Sequence, residues 1–222
     1  MSTAELEREL AQRGFTRLAR WGRGVDTDLF RPRPKAFLPG PRPIFMYVGR
    51  VAPEKNLDAF LSLDLPGQKY VVGDGTALPR LRGRYPDVRF VGARYGEELA
   101  CHFAAADVFV FPSRTDTFGL VLLEALASGV PVAAYPLAGP RQSVIHGETG
   151  LLDEDLGRAA LGALTLDPAR CRASALRFSW AESIAQLASH LEAHRVLARP
   201  ERAVRLRRAW PEPRFRSIEP ER

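Results

Sequence analysis

Residues 107–135 read DVFVFPSRTDTFGLVLLEALASGVPVAAY. Two short apolar runs, 107–111 and 131–135, enclose a polar loop and a single helical stretch. The first run predicts a strand, and Phe118 to Ser128 predicts a helix that ends at Gly129, with Pro131 opening the next strand. Leu120, Val121, Leu122, Leu123, Ala125, Leu126 and Ala127 make that helix apolar all round, which predicts that it is buried. A strand, a helix and a second strand at this spacing form a βαβ unit, the connection that joins parallel strands.

The same alternation extends outward. Apolar runs at 44–49, 69–73 and 88–92 precede the quoted stretch, with helix candidates at 55–63, 76–85 and 96–105 between the strands. Further helices are expected at 154–165, 168–175 and 180–198. The pattern predicts an α/β fold, a Rossmann-like parallel sheet with helices on both faces. Upstream, residues 3–13 have helix-forming composition, with Thr3 as N-cap and Gly14 as stop. The piece FTRLARW at 15–21 is strand-like. Residues 22–43 carry five prolines and three glycines, the mark of a linker. Three regions follow: 1–40, a helix and linker; 41–198, the α/β domain; and 199–222, a basic Arg/Pro-rich tail expected to be loosely ordered.

The net charge of +6 is located mostly in that tail. Residues 195–222 hold nine arginines and four glutamates, whereas residues 1–194 are nearly balanced. Contact of the tail with an anionic membrane surface or a phosphate-bearing partner stands beside plain solvation. No aromatic interleaving or recognised motif supports nucleic-acid binding. Cys101 and Cys171 fit no metal or redox spacing and read as free thiols. With no apolar signal or membrane-spanning run, a cytoplasmic location is expected, peripheral to the inner face of a membrane if the tail docks there.

In open parallel sheets, ligands bind beyond the carboxyl ends of the strands. After the first strand comes Gly49-Arg50-Val51-Ala52-Pro53-Glu54-Lys55-Asn56. The glycine admits close backbone approach, Arg50 offers a planar fork for phosphate oxygens, and Lys55 adds a point charge. Surface charges capping a helix are the plainer reading of that pair. Gly73-Asp74-Gly75-Thr76 is a tight turn and lacks the spacing of a dinucleotide fingerprint. The helix start at Phe118-Gly119-Leu120 presents free amides and a positive dipole end, a seat for a diphosphate. Glu124, alone in its apolar surroundings, needs hydrogen-bond donors from the protein or from ligand hydroxyls, and Asp116 lies just outside the seat.

These residues carry a resemblance. Pro112, Ser113, Asp116, Phe118, Gly119, Glu124, Ala125, Ala127 and Gly129 match the P-S-x-x-E-x-F-G-x-x-x-x-E-A-x-A-x-G stretch of family 4 retaining glycosyltransferases of the GT-B fold. Gly49, Arg50, Glu54, Lys55 and Asn56 match that family's first strand end; Gly24-Val25-Asp26, Phe30 and Pro32 match its linker. Gly139-Pro140, Val144-Ile145, Gly147 and Thr149 to Leu152 match a later turn. The chain thus resembles the C-terminal, donor-binding domain of that family across residues 14–190. Asp116 stands where a longer glutamate is commoner. The N-terminal acceptor domain, with the family's catalytic-site histidine, is expected to be missing, as in a truncated or split gene or an excised piece.

The resemblance implies retaining transfer from a nucleotide-diphosphate sugar, with no cofactor and no essential metal. Arg50 and Lys55 would neutralise the leaving diphosphate, Asp116 would hold donor-sugar hydroxyls and Glu124 the ribose. Gly49, Val91, Gly92, Arg94, Thr117, Phe118, Gly119 and Leu120 complete the expected substrate-binding set, with the base against Val91 to Arg94. Asp26-Thr27-Asp28 spells a metal-binding triplet of another fold but sits in the linker, and His102, His146, His190 and His194 read as structural or surface groups. A non-catalytic nucleotide-sugar-binding domain, or a remnant needing a separate acceptor-binding partner or self-association, is the alternative.

Overall fold

The computed structural model describes residues 4–19, 21–116 and 119–197. Six strands, β1 (Ile44–Val48), β2 (Gln68–Val72), β3 (Arg89–Gly92), β4 (Val108–Phe111), β5 (Val132–Ala134) and β6 (Gly150–Leu152), form one sheet in the order β3-β2-β1-β4-β5-β6. Every neighbouring pair is parallel. The order reverses between β1 and β4, so the loops leaving their carboxyl ends diverge and open a crevice there.

Around the sheet lie α1 (Ala4–Gln12), α2 (Leu57–Leu61), α3 (Leu78–Arg84), α4 (Gly96–Ala105), α5 (Leu120–Ala127), α6 (Leu156–Ala163), α7 (Pro168–Ala175) and α8 (Trp180–Leu197). Side chains alternate across each strand and sort the core into two layers. Ile44, Met46, Val48, Phe109 and Phe111 pack with residues of α4, α5 and α7. Phe45, Tyr47, Val108 and Val110 pack with residues of α2, α3 and α6. Both faces of the sheet are covered, as the apolar runs require. All five residues of β1 are buried.

Two expectations are corrected and one strand is added. Residues 15–19 form no strand and Phe15 is exposed; a strand exists only by pairing, and no described strand lies alongside it. The strand β6 was not foreseen: three residues beginning with glycine carry too little pattern. Gly150 is nonetheless required there, because a Cβ would lie 2.5 Å from the Val132 carbonyl oxygen. The helix α5 is not buried all round, since Leu120 is exposed and Val121 only half-buried. Its C-terminus is as expected: Gly129 adopts φ +74, and the Val130 amide donates to the Ala125 carbonyl at 2.9 Å.

The Pro-rich stretch is tied to the domain. Val25, Phe30 and Leu38 join the core. Arg172 donates to the carbonyls of Phe30 (2.7 Å) and Ala127 (2.8 Å), and to that of Thr27 (2.9 Å). One guanidinium thus caps the C-terminal end of α5 and pins the linker to it. Asp107 receives Lys35 (2.7 Å), Arg42 (2.9 Å) and the Ile44 amide (2.7 Å). Trp21 Nε1 donates to the Ser183 carbonyl at 3.0 Å, and the Val25 amide to Phe178 at 2.8 Å, fastening the linker to the start of α8. Farther along, Trp180, Ile184 and Leu191 leave an apolar stripe exposed on α8. Thr3 and the basic tail lie outside the described residues.

Candidate functional site

A cavity of about 350 Å³ opens beyond the carboxyl ends of β1 and β4. Gly49, Arg50 and Lys55 form its β1 side; Asp116, Gly119, Leu120 and Val121 form its β4 side, and Arg23 reaches in from the linker. A second cavity of about 300 Å³ shares the Gly49-Arg50 wall and extends past Gly73 and Asp74 to Ala93, Arg94 and Tyr95. The wall is thin because glycines face each other across it. A Cβ on Gly73 would fall 1.8 Å from the Gly49 carbonyl oxygen, so no other residue permits this approach.

The β1 loop is held from behind. The Tyr47 hydroxyl donates to the Arg50 carbonyl at 2.9 Å, and burial pushes its pKa well up, keeping it a neutral donor. Asn56 takes the left-handed conformation (φ 56), and its side-chain amide donates to the Pro112 carbonyl at 3.1 Å. That bond joins the β1 loop to the β4 loop and sets Lys55 against Asp116. Lys55 Nζ meets Asp116 Oδ1 at 2.5 Å, with the two side chains only 17% and 25% exposed. Arg50 pairs with Glu54, also at 2.5 Å, but both are far more open to water.

The start of α5 completes the β4 side. Its N-cap, Gly119, lies at φ +71 and has no side chain to offer the first amides; no capping side-chain bond and no acidic residue occupy its first turn among the described residues. Two helices are capped by side chains, Asp155 accepting from the Arg158 amide and Asp167 from the Ala169 amide, whereas α2, α3 and α4 lack such a cap as α5 does. An uncapped start, opening on a cavity lined by Leu120 and Val121, leaves backbone donors and the positive dipole end for an anion.

Glu124 follows Leu120 by four residues and Val121 by three, so it shares the crevice-side face of α5. It is half-buried and lines neither cavity; among the described residues its carboxylate makes no hydrogen bond or ion pair. Burial pushes its pKa up to about 7. The carboxylate is left short of donors among the described residues.

The structure gathers Gly49, Arg50, Lys55, Asp116, Gly119 and Leu120 around the first cavity and Arg94 beside the second. Gly92 ends β3, its carbonyl accepting from the Gly73 amide at 2.9 Å. Val91 lies elsewhere, lining a cavity with Leu38, Pro39 and Tyr70. Thr117 and Phe118 lie outside the described residues. Arg23 and Tyr95 went unnoticed in the sequence, as neither sits in a pattern. Asp26 Oδ1 accepts from the Asp28 and Leu29 amides, a local turn bond that gives the linker triplet a structural use. Among the described residues no cluster of three or more His, Cys, Asp or Glu could hold a metal ion, both cysteines are free, and no helix is long and apolar enough to cross a membrane.

A family model described as glycosyl transferases group 1 matches residues 42–165, more than half the chain and every lining residue of the two cavities except Arg23. The chain belongs to the group 1 glycosyltransferases. A GDP-mannose-dependent alpha-mannosyltransferase of Mycobacterium tuberculosis is 43% identical over 159 residues, covering 68% of this chain and 42% of that protein. One of the same description from Mycolicibacterium smegmatis is 38% identical over 209 residues, covering 86% and 56%. The chain therefore spans about half the length of these curated relatives. Among solved structures, sucrose-phosphate synthase from Thermosynechococcus elongatus superposes with TM-score 0.72 at 26% identity, over 89% of this chain and 58% of that one. Anabaena Alr3699/HepE, solved in complex with UDP, gives TM-score 0.72 at 21% identity over 86% and 62%. This group 1 domain has the Rossmann-like fold that the alternating strands and helices predict, and its structural neighbours are of the GT-B type that the resemblance implies.

Proposed function

We propose that this group 1 domain binds the nucleotide-sugar donor of a retaining glycosyl transfer, with the acceptor presented by another domain. The observation that carries the reading is the convergence of Arg50, Lys55 and the uncapped start of α5 on one cavity. A diphosphate there would meet a guanidinium, an ammonium and free amides, groups that stabilise negative charge growing on a leaving phosphate. Asp116 is assigned to the donor sugar's hydroxyls and Glu124, short of donors in the structure, to the ribose. The base is assigned to the second cavity, against Ala93 and Arg94 with Tyr95 at its rim. The descriptions of the two mannosyltransferases favour GDP-mannose as the donor.

Positive charge in this scheme comes from the protein, so the donor is bound without a cofactor or metal ion. The exposed stripe of Trp180, Ile184 and Leu191 supplies a surface for the acceptor-bearing domain or for self-association. Calorimetric titration with GDP, UDP and ADP in the presence of EDTA tests the reading. Saturable binding of at least one, GDP foremost, is expected; absence of binding to all three by folded protein would sink it.

A further inference from the structure

We infer that the Lys55–Asp116 ion pair is a selection device, which makes the crevice favour a diphosphate carrying a sugar over a bare nucleoside diphosphate. The inference rests on the donor-binding reading above and assigns a discriminating role inside it. Both side chains line the same cavity, 2.5 Å apart, and neither is well exposed. At such a site solvent screens charge less than at the open surface. A phosphate approaching Lys55 therefore meets an ammonium already holding a carboxylate, and that carboxylate repels it. Arg50 and Glu54 also pair, but with side chains 65% and 43% exposed the repulsion there is screened.

A sugar on the diphosphate changes the balance. Its hydroxyls are hydrogen-bond donors, and a carboxylate accepts from several at once. As phosphate takes Lys55, Asp116 exchanges the ammonium for sugar hydroxyls, and its charge is met again by donors. A bare diphosphate offers Asp116 nothing, so the carboxylate stays against it unpaired or keeps Lys55 from it. After transfer the same carboxylate favours departure of the nucleoside diphosphate. The bond from Asn56 to the Pro112 carbonyl keeps the two loops in the register that this exchange requires.

The test is calorimetry of wild type, Asp116→Asn, Lys55→Met and the double variant with GDP and with GDP-mannose, each confirmed folded by circular dichroism. Asp116→Asn is expected to bind GDP about fivefold to tenfold more tightly than wild type, the scale of one partly screened charge contact. Its affinity for GDP-mannose should not rise with it, so the preference for the sugar-bearing ligand collapses. Lys55→Met should weaken GDP binding, because the unpaired carboxylate then faces the phosphate, and adding Asp116→Asn to it should recover part of that loss. Unchanged or weaker GDP binding by folded Asp116→Asn overturns the selection role while leaving donor binding intact. Wild type that binds neither GDP, UDP nor ADP overturns the donor reading, and this inference with it.

Discussion

Replacing Glu124 with glutamine should make the domain more stable in mild alkali and its nucleotide binding less dependent on pH. Glu124 is half-buried without a partner among the described residues, and burial raises its pKa from the ordinary 4.5 to about 7. The folded protein therefore holds that proton more tightly than the unfolded chain. The resulting contribution to stability is fully present below about pH 4.5 and is lost as pH rises through about 7. A displacement of that size corresponds to about 3 kcal/mol. Thermal melts of wild type and Glu124→Gln should thus nearly coincide at pH 5, with the variant more stable at pH 8 by several degrees. Binding carries the opposite dependence. If ribose hydroxyls donate to the carboxylate, only its ionised form binds well, and that form rises from about one-tenth at pH 6 to about nine-tenths at pH 8. Wild-type affinity for GDP should rise about tenfold over that range beyond any change in Glu124→Gln, a comparison that cancels titration of the phosphate itself. Parallel melting curves across pH would refute the burial argument. An equal pH slope of binding in both proteins would refute the ribose assignment alone.

Two further outcomes are expected. Arg172→Met removes a guanidinium that satisfies the carbonyls of Thr27, Phe30 and Ala127, and should cost roughly 2–4 kcal/mol, read as a melting point lower by about 4–12 °C; a change under about 2 °C would mean water replaces it freely. The purified chain, offered GDP-mannose with lipid or sugar acceptors and followed by mass spectrometry, should show no multiple-turnover transfer. Positioning two reactants together contributes roughly 7–11 kcal/mol, and the residues assigned here hold only the donor; robust turnover would refute the donor-only role.

What could be read from the sequence divides along a physical line. Strands β1 to β5 and every helix of the α/β domain were legible, because each depends on local pattern: an apolar run, a proline at a strand's opening, a glycine at a helix stop. Strand β6 was not, because Gly150 to Leu152 becomes a strand only by lying beside β5, and pairing is not written in three residues. The site divides in the same way. Arg50, Lys55, Asp116 and Gly119 were legible from their position after strand ends, which the parallel order of the sheet turns into proximity, and Glu124 from standing alone in an apolar helix. Whether those charges would be free or paired was not legible. Lys55 and Asp116 are 61 residues apart, and their contact depends on Asn56 reaching the Pro112 carbonyl across two loops.

The unread part is where the chemistry is decided. A list of cations at a strand end describes an open phosphate trap, but in the folded crevice Arg50 and Lys55 are each already engaged by a carboxylate. Lys55 is held at 2.5 Å in a half-closed setting, Arg50 at the same distance in water. Since screening weakens only the second pair, the two cations are unequal despite like charge, and the closed one controls entry. Glu124 is the reverse case, a carboxylate with burial but no donor, so it gains most from a ligand that brings hydroxyls. Cations that are satisfied and a carboxylate that is not describe a site tuned less to phosphate than to the hydroxyl-bearing groups on either side of it.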